Sequence, residues 1–284
     1  MEIIRTIDAL NQRIDTLKRQ GRIVGFVPTM GALHKGHISL VNRAGVECSA
    51  VIVSIFVNPT QFNNPDDLER YPRDLQKDVE KLRPTLCKIV FAPSIEEMYP
   101  QPDTRRFDFG MLDKVMEGAF RPGHFNGVAQ VVSRLFDIVK PDKAFFGEKD
   151  FQQLAVINKM VHQLGYDIEI VPCPIVREKD GLAKSSRNVL LSEVQRQNAP
   201  EIWHTLFESL TFANSNSVEQ TRKFVIDGVN AIPELKVEYF DIVNGETLQS
   251  IDNWDDADYV AGCIAVFAGD IRLIDNVIYK NNIL

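Results

Sequence analysis

The sequence lacks an excess of positive charge, a long apolar run and any recognisable export segment. Its formal net charge is −7 over 284 residues, which argues against a general nucleic-acid binder because such proteins present a basic face to phosphates. No apolar run approaches the roughly 20 residues that a membrane-spanning helix needs. The amino terminus carries an early acid and apolar residues at helical spacing, unlike a signal peptide. These absences predict a cytoplasmic globular protein that acts on a small molecule.

Cysteine is scarce, and the two common nucleotide-binding signatures are absent from the sequence. The four cysteines form no CxxC pair, and no histidine lies at a zinc-ligand spacing from them, so we expect reduced thiols that lie mostly in the core: Cys48, Cys87, Cys173 and Cys263. No segment matches the GxxxxGK[ST] loop, and no GxGxxG follows a predicted strand. The sequence therefore gives little support for a P-loop enzyme or an NAD enzyme.

What is present is an alternation of strands and helices. Apolar residues recur at three- and four-residue steps from Ile3 to Leu17, which predicts a helix that stops at Gly21. Further helices are predicted near 37–47, 74–83, 125–139 and 151–164, and strands at 22–28, 50–57, 88–92, 144–146 and 167–172. This alternation is typical of parallel sheets, so we expect an α/β, Rossmann-like, doubly wound fold.

The pattern changes after residue 175. A polar, turn-rich segment leads to two predicted helices that each begin with an S-x-x-Q capping box, at Ser192 and at Ser217. Three alternating strands are predicted after them, at 236–243, 258–268 and 272–279. We therefore expect two domains, a Rossmann-like domain over 1–175 and a smaller α+β domain over 176–284.

The first candidate motif, PTMGALHKGH (28–37), follows directly on the first predicted sheet strand. Ligands of doubly wound folds bind at the carboxyl ends of the strands. Gly36 permits close backbone approach to a phosphate, and a helix that begins there offers free N–H groups. His34 and His37 would add a hydrogen bond or a positive charge. On this motif alone, two histidines that merely cap a helix are an equally good interpretation.

The second candidate motif is KSSR (184–187), in the polar connector. Its two cations and two hydroxyls suit a departing pyrophosphate, although such a tetrapeptide alone is more often a solvated loop. Together, the HxGH and KSSR segments resemble the paired signatures of the nucleotidylyltransferase and class I aminoacyl-tRNA synthetase superfamily. That resemblance implies that the histidines and the basic loop embrace ATP and promote attack at its α-phosphate.

Longer segments resemble the pantothenate synthetases (pantoate–β-alanine ligases), whose motifs match in order at 28–41, 53–78, 121–132, 145–154 and 180–188. The resemblance implies an ATP-dependent ligase that converts pantoate and ATP to pantoyl-adenylate and pyrophosphate. β-Alanine then displaces AMP to give pantothenate. The resemblance further implies Mg²⁺, a homodimer formed through the N-terminal domain, and ATP and pantoate sites within 1–175. The connector 177–188 is polar, contains Gly181 and joins two compositionally distinct halves, so we expect it to close as a flap that makes the C-terminal domain a lid. A static linker is the alternative.

The resemblance also assigns roles to individual residues. Catalytic roles are expected for His34, His37 and Arg187. Pantoate or β-alanine binding is expected for Gln61, Gln153, Asn58 and Thr29, since a buried amide orients a hydroxy acid without an unpaired charge. ATP binding is expected for Met30, Gly31, His34, Gly36, His37, Gly147, Glu148, Lys149, Asp150, Val176, Lys184, Ser185, Ser186 and Arg187. Asp78 matches a position linked to magnesium, although a helix-surface carboxylate is nearly as good an interpretation.

Some assignments stay open at this point. The family usually has an apolar residue before SSR, so Lys184 either touches phosphate or points to water. His124 is expected to be a helix-start histidine with no catalytic part. A nucleotidylyltransferase that keeps AMP on its product shares both signatures but does not need the Gln61 and Gln153 amides. A non-catalytic nucleotide-binding regulator is a third possibility.

Overall fold

The computed structural model describes residues 1–62 and 65–282, so parts of the family-like segment 53–78 and of the expected C-terminal domain lie outside the described residues. The chain divides into two compact units. The first comprises Met1–Phe109, Arg121–Glu148 and Gln153–Pro174, and the second comprises Gly110–Phe120, Lys149–Gln152 and Ile175–Leu284. The chain passes from the first unit to the second for the last time between Pro174 and Ile175. That residues 1–175 and 176–284 act as separate domains stays a prediction.

The first unit is built on a parallel sheet. Its strands are β1 (Glu2–Ile4), β2 (Val24–Thr29), β3 (Ala50–Ile55), β4 (Cys87–Phe91), β5 (Lys143–Gly147) and β6 (Glu169–Cys173), in the spatial order β1-β4-β3-β2-β5-β6. All described pairings within it are parallel. From β2 the chain proceeds outward through β3 and β4 on one side and later through β5 and β6 on the other. The topological switch point, where such folds bind ligands, therefore lies between β2 and β5.

The helices that carry the chain between these strands are α1 (Ile7–Arg19), α2 (Lys35–Glu47), α3 (Pro65–Arg70), α4 (Leu75–Leu82), α5 (Ile95–Met98), α7 (His124–Val139) and α8 (Phe151–Leu164), while α6 (Glu117–Phe120) belongs to the second unit. The helix stripe expected from Ile3 is wrong at its start. Residues 2–4 form an edge strand, with Ile3 opposite Val90, because pairing with β4 supplies backbone partners that a first helical turn lacks.

The core of the first unit lies on both faces of the sheet. β2 and β3 are buried almost throughout, as expected for strands covered by helices on both sides. Large fully buried side chains fill these layers, namely Phe26, Phe91, Phe136 and Phe145. The expectation for the cysteines is confirmed, since all four thiols are free and buried.

The second unit contains an antiparallel sheet of β7 (Leu235–Asn244), β8 (Tyr259–Ala268) and β9 (Ile271–Asn281), in that order. Besides α6, its helices include α9 (Glu193–Asn198), α10 (Glu201–Ala213) and α11 (Val218–Asn230). Both predicted capping boxes are present, at Ser192 and Ser217. The helix predicted from Ser192 is broken, because Pro200 lacks a backbone N–H and starts a new helix instead of continuing α9. The predicted α/β and α+β architecture is confirmed.

Candidate active site

The turn after β2 is tightly constrained. Thr29 ends the strand, and its hydroxyl donates to the Ser54 carbonyl at 2.7 Å and accepts from the Gly31 N–H at 3.2 Å. Gly31 and Ala32 both adopt positive φ, +80° and +49°, a conformation that costs a residue with a Cβ about 1–2 kcal/mol. A Cβ added at Gly31 would also lie 3.0 Å from Asp78 Oδ2. The turn therefore depends on outside bonds to hold its shape.

The two histidines cap α2 reciprocally. His34 is the N-cap residue, and its Nδ1 accepts from the Gly36 N–H at 3.1 Å, while His37 Nδ1 accepts from the His34 N–H at 3.2 Å. The two rings lie with their centroids 4.1 Å apart. Because each Nδ1 accepts a hydrogen bond, the ring proton of each neutral histidine belongs on Nε2. Capping and phosphate binding are therefore compatible, with Nε2–H as the donor for a phosphate.

Asp78 braces the same turn. Its carboxylate is only 2% exposed and accepts from the Ala32 N–H at 2.8 Å and the Leu33 N–H at 2.7 Å, one bond to each oxygen. The Lys81 ammonium donates to the Leu33 carbonyl at 2.6 Å. Burial raises the pKa of the Asp78 carboxyl, and the two N–H bonds oppose that shift.

The magnesium role expected for Asp78 stays a prediction. Each of its two oxygens accepts one backbone N–H from the turn. Among residues 1–62 and 65–282, no group of three or more histidine, cysteine, aspartate or glutamate side chains is arranged to hold a metal ion. In the structure, Asp78 braces the turn that precedes the histidines.

The amides at the end of β3 form a buried network. Asn58 Nδ2 donates to the Gly127 carbonyl at 3.1 Å and lies 3.4 Å from Gln61 Oε1, and the Tyr99 hydroxyl donates to Asn58 Oδ1 at 3.1 Å. Gln61 Nε2 in turn donates to Met30 Sδ at 2.9 Å. The structure thus brings the predicted residues Asn58, Gln61 and Met30 together at the carboxyl ends of β2 and β3.

His124 holds the backbone of this network. It is the first residue of α7, as expected, and it is buried. Its Nδ1 donates to the Gln61 carbonyl at 2.8 Å, and its Nε2 accepts from Arg121 at 3.3 Å. A Cβ at Gly127 would lie 2.6 Å from the Thr60 carbonyl, so only glycine permits this approach of α7. Sequence reasoning missed the contributions of His124, Gly127 and Tyr99. The family-like segment RPGHFNG gave a signal for the first two, and no segment gave one for Tyr99.

At the switch point, Gly147 ends β5 and Glu148 follows it. The Glu148 N–H donates to the Cys173 carbonyl at 2.9 Å, and burial raises the pKa of the Glu148 carboxyl. A Cβ placed on Gly147 would meet no described atom within 4 Å, so the space above this glycine is open to a ligand. Gln153, two residues into α8, is half-buried in the first unit.

The remaining predicted ATP-binding residues belong to the second unit. Residues 176–184 form a short hairpin, in which the Lys184 N–H donates to the Val176 carbonyl at 2.9 Å. Ser185 then caps a short 3₁₀ helix, Ser186–Leu190, by accepting from the Arg187 N–H at 3.2 Å. The Lys184 ammonium forms an ion pair with Glu178.

Elsewhere in the second unit, Lys149 and Asp150 lie next to each other, with Lys149 Nζ 3.7 Å from Asp150 Oδ2.

Within the described part of the chain, no helix is both long and apolar enough to cross a membrane.

A parallel sheet with an HxGH turn at its switch point and a K-S-S-R loop elsewhere in the chain defines a nucleotide-binding α/β enzyme of the HxGH class. The comparisons identify the family. The model of the family described as Pantoate-beta-alanine ligase matches residues 2–278. The chain therefore belongs to the pantoate–β-alanine ligase family.

Known relatives match this chain over nearly the full length of both proteins. The pantothenate synthetase of Bacteroides fragilis strain YCH46 is 58% identical over 99% of this chain and 100% of that protein. The crystal structure of pantothenate synthetase from Thermus thermophilus has a TM-score of 0.93 and 43% identity, covering 99% of this chain and 100% of that one. The pantoate–β-alanine ligase of Francisella tularensis, complexed with beta-gamma ATP and β-alanine, has a TM-score of 0.82 and 36% identity, covering 98% of each chain.

Proposed function

We propose that this chain condenses pantoate with β-alanine in two steps that share one site at the β2–β5 switch point. In the first step a pantoate carboxylate oxygen attacks the α-phosphorus of ATP, and pyrophosphate leaves with the electron pair of the broken P–O bond. In the second step the β-alanine amine attacks the acyl carbon, loses a proton and expels AMP. Family membership over residues 2–278 carries this conclusion.

The histidines act as preorganised donors to the phosphates. With Nδ1 of each ring engaged by the backbone, Nε2–H of His34 and His37 is the atom that meets charge as it builds on the α- and β-phosphates. The bonds from Asp78 to the preceding turn fix the position from which α2 starts. These donors do not need a positive charge on either ring.

The buried amides orient the hydroxy acid. Gln61 is held through its backbone by His124 and through its side chain by Asn58 and Met30, so its amide is fixed before pantoate arrives. A neutral amide can bind both the hydroxyl and the carboxylate without adding a competing charge. Gln153 and Thr29 complete the proposed pantoate and β-alanine set.

Other assignments rest on the family resemblance. Arg187, with Ser185 and Ser186, would bind the leaving pyrophosphate, and the C-terminal residues would serve as a lid. The further ATP-binding set comprises Met30, Gly31, Gly36, Gly147, Glu148, Lys149, Asp150, Val176 and Lys184, although the Glu178 ion pair supports a structural part for Lys184. Magnesium enters this proposal as the counter-ion of ATP.

Assembly and location belong to the same proposal. We expect a homodimer, formed through the N-terminal unit, in the cytoplasm, without nucleic-acid or membrane partners. Light scattering tests the assembly, because a species of 32.2 kDa at micromolar concentration would contradict it. Hydrogen exchange over 177–188 tests the lid, since protection must rise when ATP and pantoate bind.

The reaction is tested by incubating the protein with ATP, magnesium and pantoate, with and without β-alanine, and detecting products by mass. We expect pantoyl-adenylate without the amine, and pantothenate with free AMP when the amine is present. AMP retained on the final product would support the nucleotidylyltransferase alternative. ATP turnover that is unchanged after replacing both histidines would support the regulator alternative.

A further inference from the structure

Two consecutive residues of β9, Asp275 and Asn276, are buried polar side chains that the reaction itself does not use. Asp275 accepts a forked pair of hydrogen bonds from Arg177, with Nη1 at 2.6 Å and Nη2 at 2.9 Å. Arg177 also lies flat against Trp203, with its guanidinium carbon 3.6 Å from the ring centroid. Forked, held over an indole ring and only 17% exposed, this guanidinium is fixed in position and not merely neutralised.

Arg177 fixes the hairpin from which the KSSR loop leaves. It pairs through its backbone with Ala183, and its Nη1 donates to the Gly181 carbonyl at 3.2 Å. Gly181 has a φ of +93°, and a Cβ on it would lie 2.3 Å from Trp203, so the hairpin tip is pressed against the same indole. The KSSR loop starts at Lys184, which directly follows Ala183, the backbone partner of Arg177.

Asn276 anchors a different segment. Its Nδ2 donates to the Lys149 carbonyl at 3.1 Å, and its own N–H donates to Asp275 Oδ1 at 2.8 Å. Side chains alternate between the two faces of a strand, so neighbouring residues reach opposite sides of the sheet. Asp275 shares its face with Leu273 and Val277, which belong to the core beneath the helices, and Asn276 reaches the Lys149–Gln152 segment on the other face.

We infer that Asp275 and Asn276 form a positioning pair, which sets the KSSR loop and the Lys149–Asp150 segment in fixed register within the second unit. This inference rests on the proposed function, in which both segments bind ATP. Neither residue touches substrate; Asp275 acts through Arg177, and Asn276 acts through the Lys149 carbonyl. A single strand carries both anchors, so the spacing between the two nucleotide-binding segments is set by one rigid element.

The test compares Asn276→Ala and Arg177→Lys with a control, Asp241→Asn. Arg177→Lys keeps the charge facing Asp275 but loses the fork and the flat contact with Trp203. Asp241→Asn removes an ion pair with Arg222, at 3.1 Å, on β7 of the same sheet, and it touches neither anchored segment. The readouts are KM for ATP, pantoate and β-alanine, kcat, and the thermal midpoint of each variant.

We expect KM for ATP to rise about tenfold in Asn276→Ala and in Arg177→Lys, with KM for pantoate and β-alanine within about twofold of the parent. The control keeps all three constants. If either test variant loses thermal stability but keeps its KM for ATP, or if all three KM values rise together, the positioning role is wrong. Should a variant fail to fold, the other reports on the same register through a different anchor.

The activity of the unsubstituted parent protein distinguishes failure of the positioning inference from failure of the proposed function. If it makes no pantothenate from ATP, pantoate and β-alanine, the proposed function itself fails. If the parent makes pantothenate and both test variants behave as the Asp241→Asn control does, only the positioning inference is overturned.

Discussion

His37 Nδ1 accepts the backbone N–H of His34 at 3.2 Å, so one imidazole serves both as a helix cap and as a carrier of a fixed Nε2 proton. The same ring can therefore be altered in two distinct ways. An asparagine side chain presents an oxygen near the position of Nδ1, whereas alanine presents nothing there. The cap and the donor can be separated experimentally.

We expect His37→Asn to slow single-turnover adenylation by about 10²–10³-fold while the protein keeps its thermal stability, because the cap acceptor remains and the Nε2 donor is lost. His37→Ala should show the same rate loss and a further destabilisation of about 1 kcal/mol from the missing cap. Quench-flow with labelled ATP and thermal unfolding provide the two readouts. Adenylation at the parent rate in His37→Asn would remove the donor role.

Asp78 is expected to behave as a brace of the histidine turn. An amide in Asp78→Asn can accept only one of the two N–H bonds from Ala32 and Leu33, so one buried donor is left unpaired at a cost of about 1–3 kcal/mol. Urea unfolding should show this loss, and magnesium titration of the residual activity should give an unchanged requirement. The opposite pattern, full stability with a higher magnesium requirement, would support the metal assignment.

His124 is expected to act on pantoate through Gln61. His124→Ala removes the donor to the Gln61 carbonyl, and we expect KM for pantoate to rise about tenfold with KM for ATP little changed. His124→Asn is the matched control, because its Nδ2 can still donate near the position of Nδ1. Equal behaviour of the two variants, or a selective change in KM for ATP, would argue against this coupling.

The buried thiols predict how the stability of the protein changes at alkaline pH. Burial raises the pKa of Cys48, Cys87 and Cys173 from an ordinary value of 9.0 to about 11. Between these values the unfolded chain loses thiol protons that the folded chain keeps, so stability is fully present below pH 9 and falls as the pH rises towards 11.

Two measurements check the thiol prediction. Thermal unfolding between pH 8 and pH 11 should show the decline, and a Cys48→Ala, Cys87→Ala, Cys173→Ala variant should show a smaller one. A thiol reagent at pH 8 should label all four cysteines only after denaturation. Rapid labelling of the native protein would contradict the burial on which the prediction rests.

Sequence patterns predicted those strands and helix starts that are determined by residues close together in the chain. The β-branched run at 50–57 gave a strand, and the boxes at Ser192 and Ser217 gave helix starts, because each signal lies within a few residues. The edge strand at residues 2–4 was missed, since Ile3 and Ile4 suit a helix stripe as well as a strand until β4 pairs with them. Pro200 was present in the sequence, and its breaking of the helix was predictable.

The site was predictable only in part, for the same reason. The HxGH turn and the amides lie in contiguous segments that family likeness identifies. The Asp78 brace joins positions 45 and 46 residues apart, and the Arg177–Asp275 anchor joins positions 98 residues apart. Pairs at such separations are created by the packing of elements, and no local periodicity specifies them.

The central claim, that pantoate is activated through its carboxylate as an acyl-adenylate, is tested most directly by isotope transfer. Pantoate labelled with ¹⁸O in both carboxylate oxygens is incubated with ATP, magnesium and β-alanine, and AMP is analysed by mass. Attack of the carboxylate on the α-phosphorus followed by amine attack on the acyl carbon predicts one ¹⁸O atom in each AMP and one retained in pantothenate. AMP without ¹⁸O, with the oxygen lost from pantoate found instead in phosphate, pyrophosphate or water, would contradict the account.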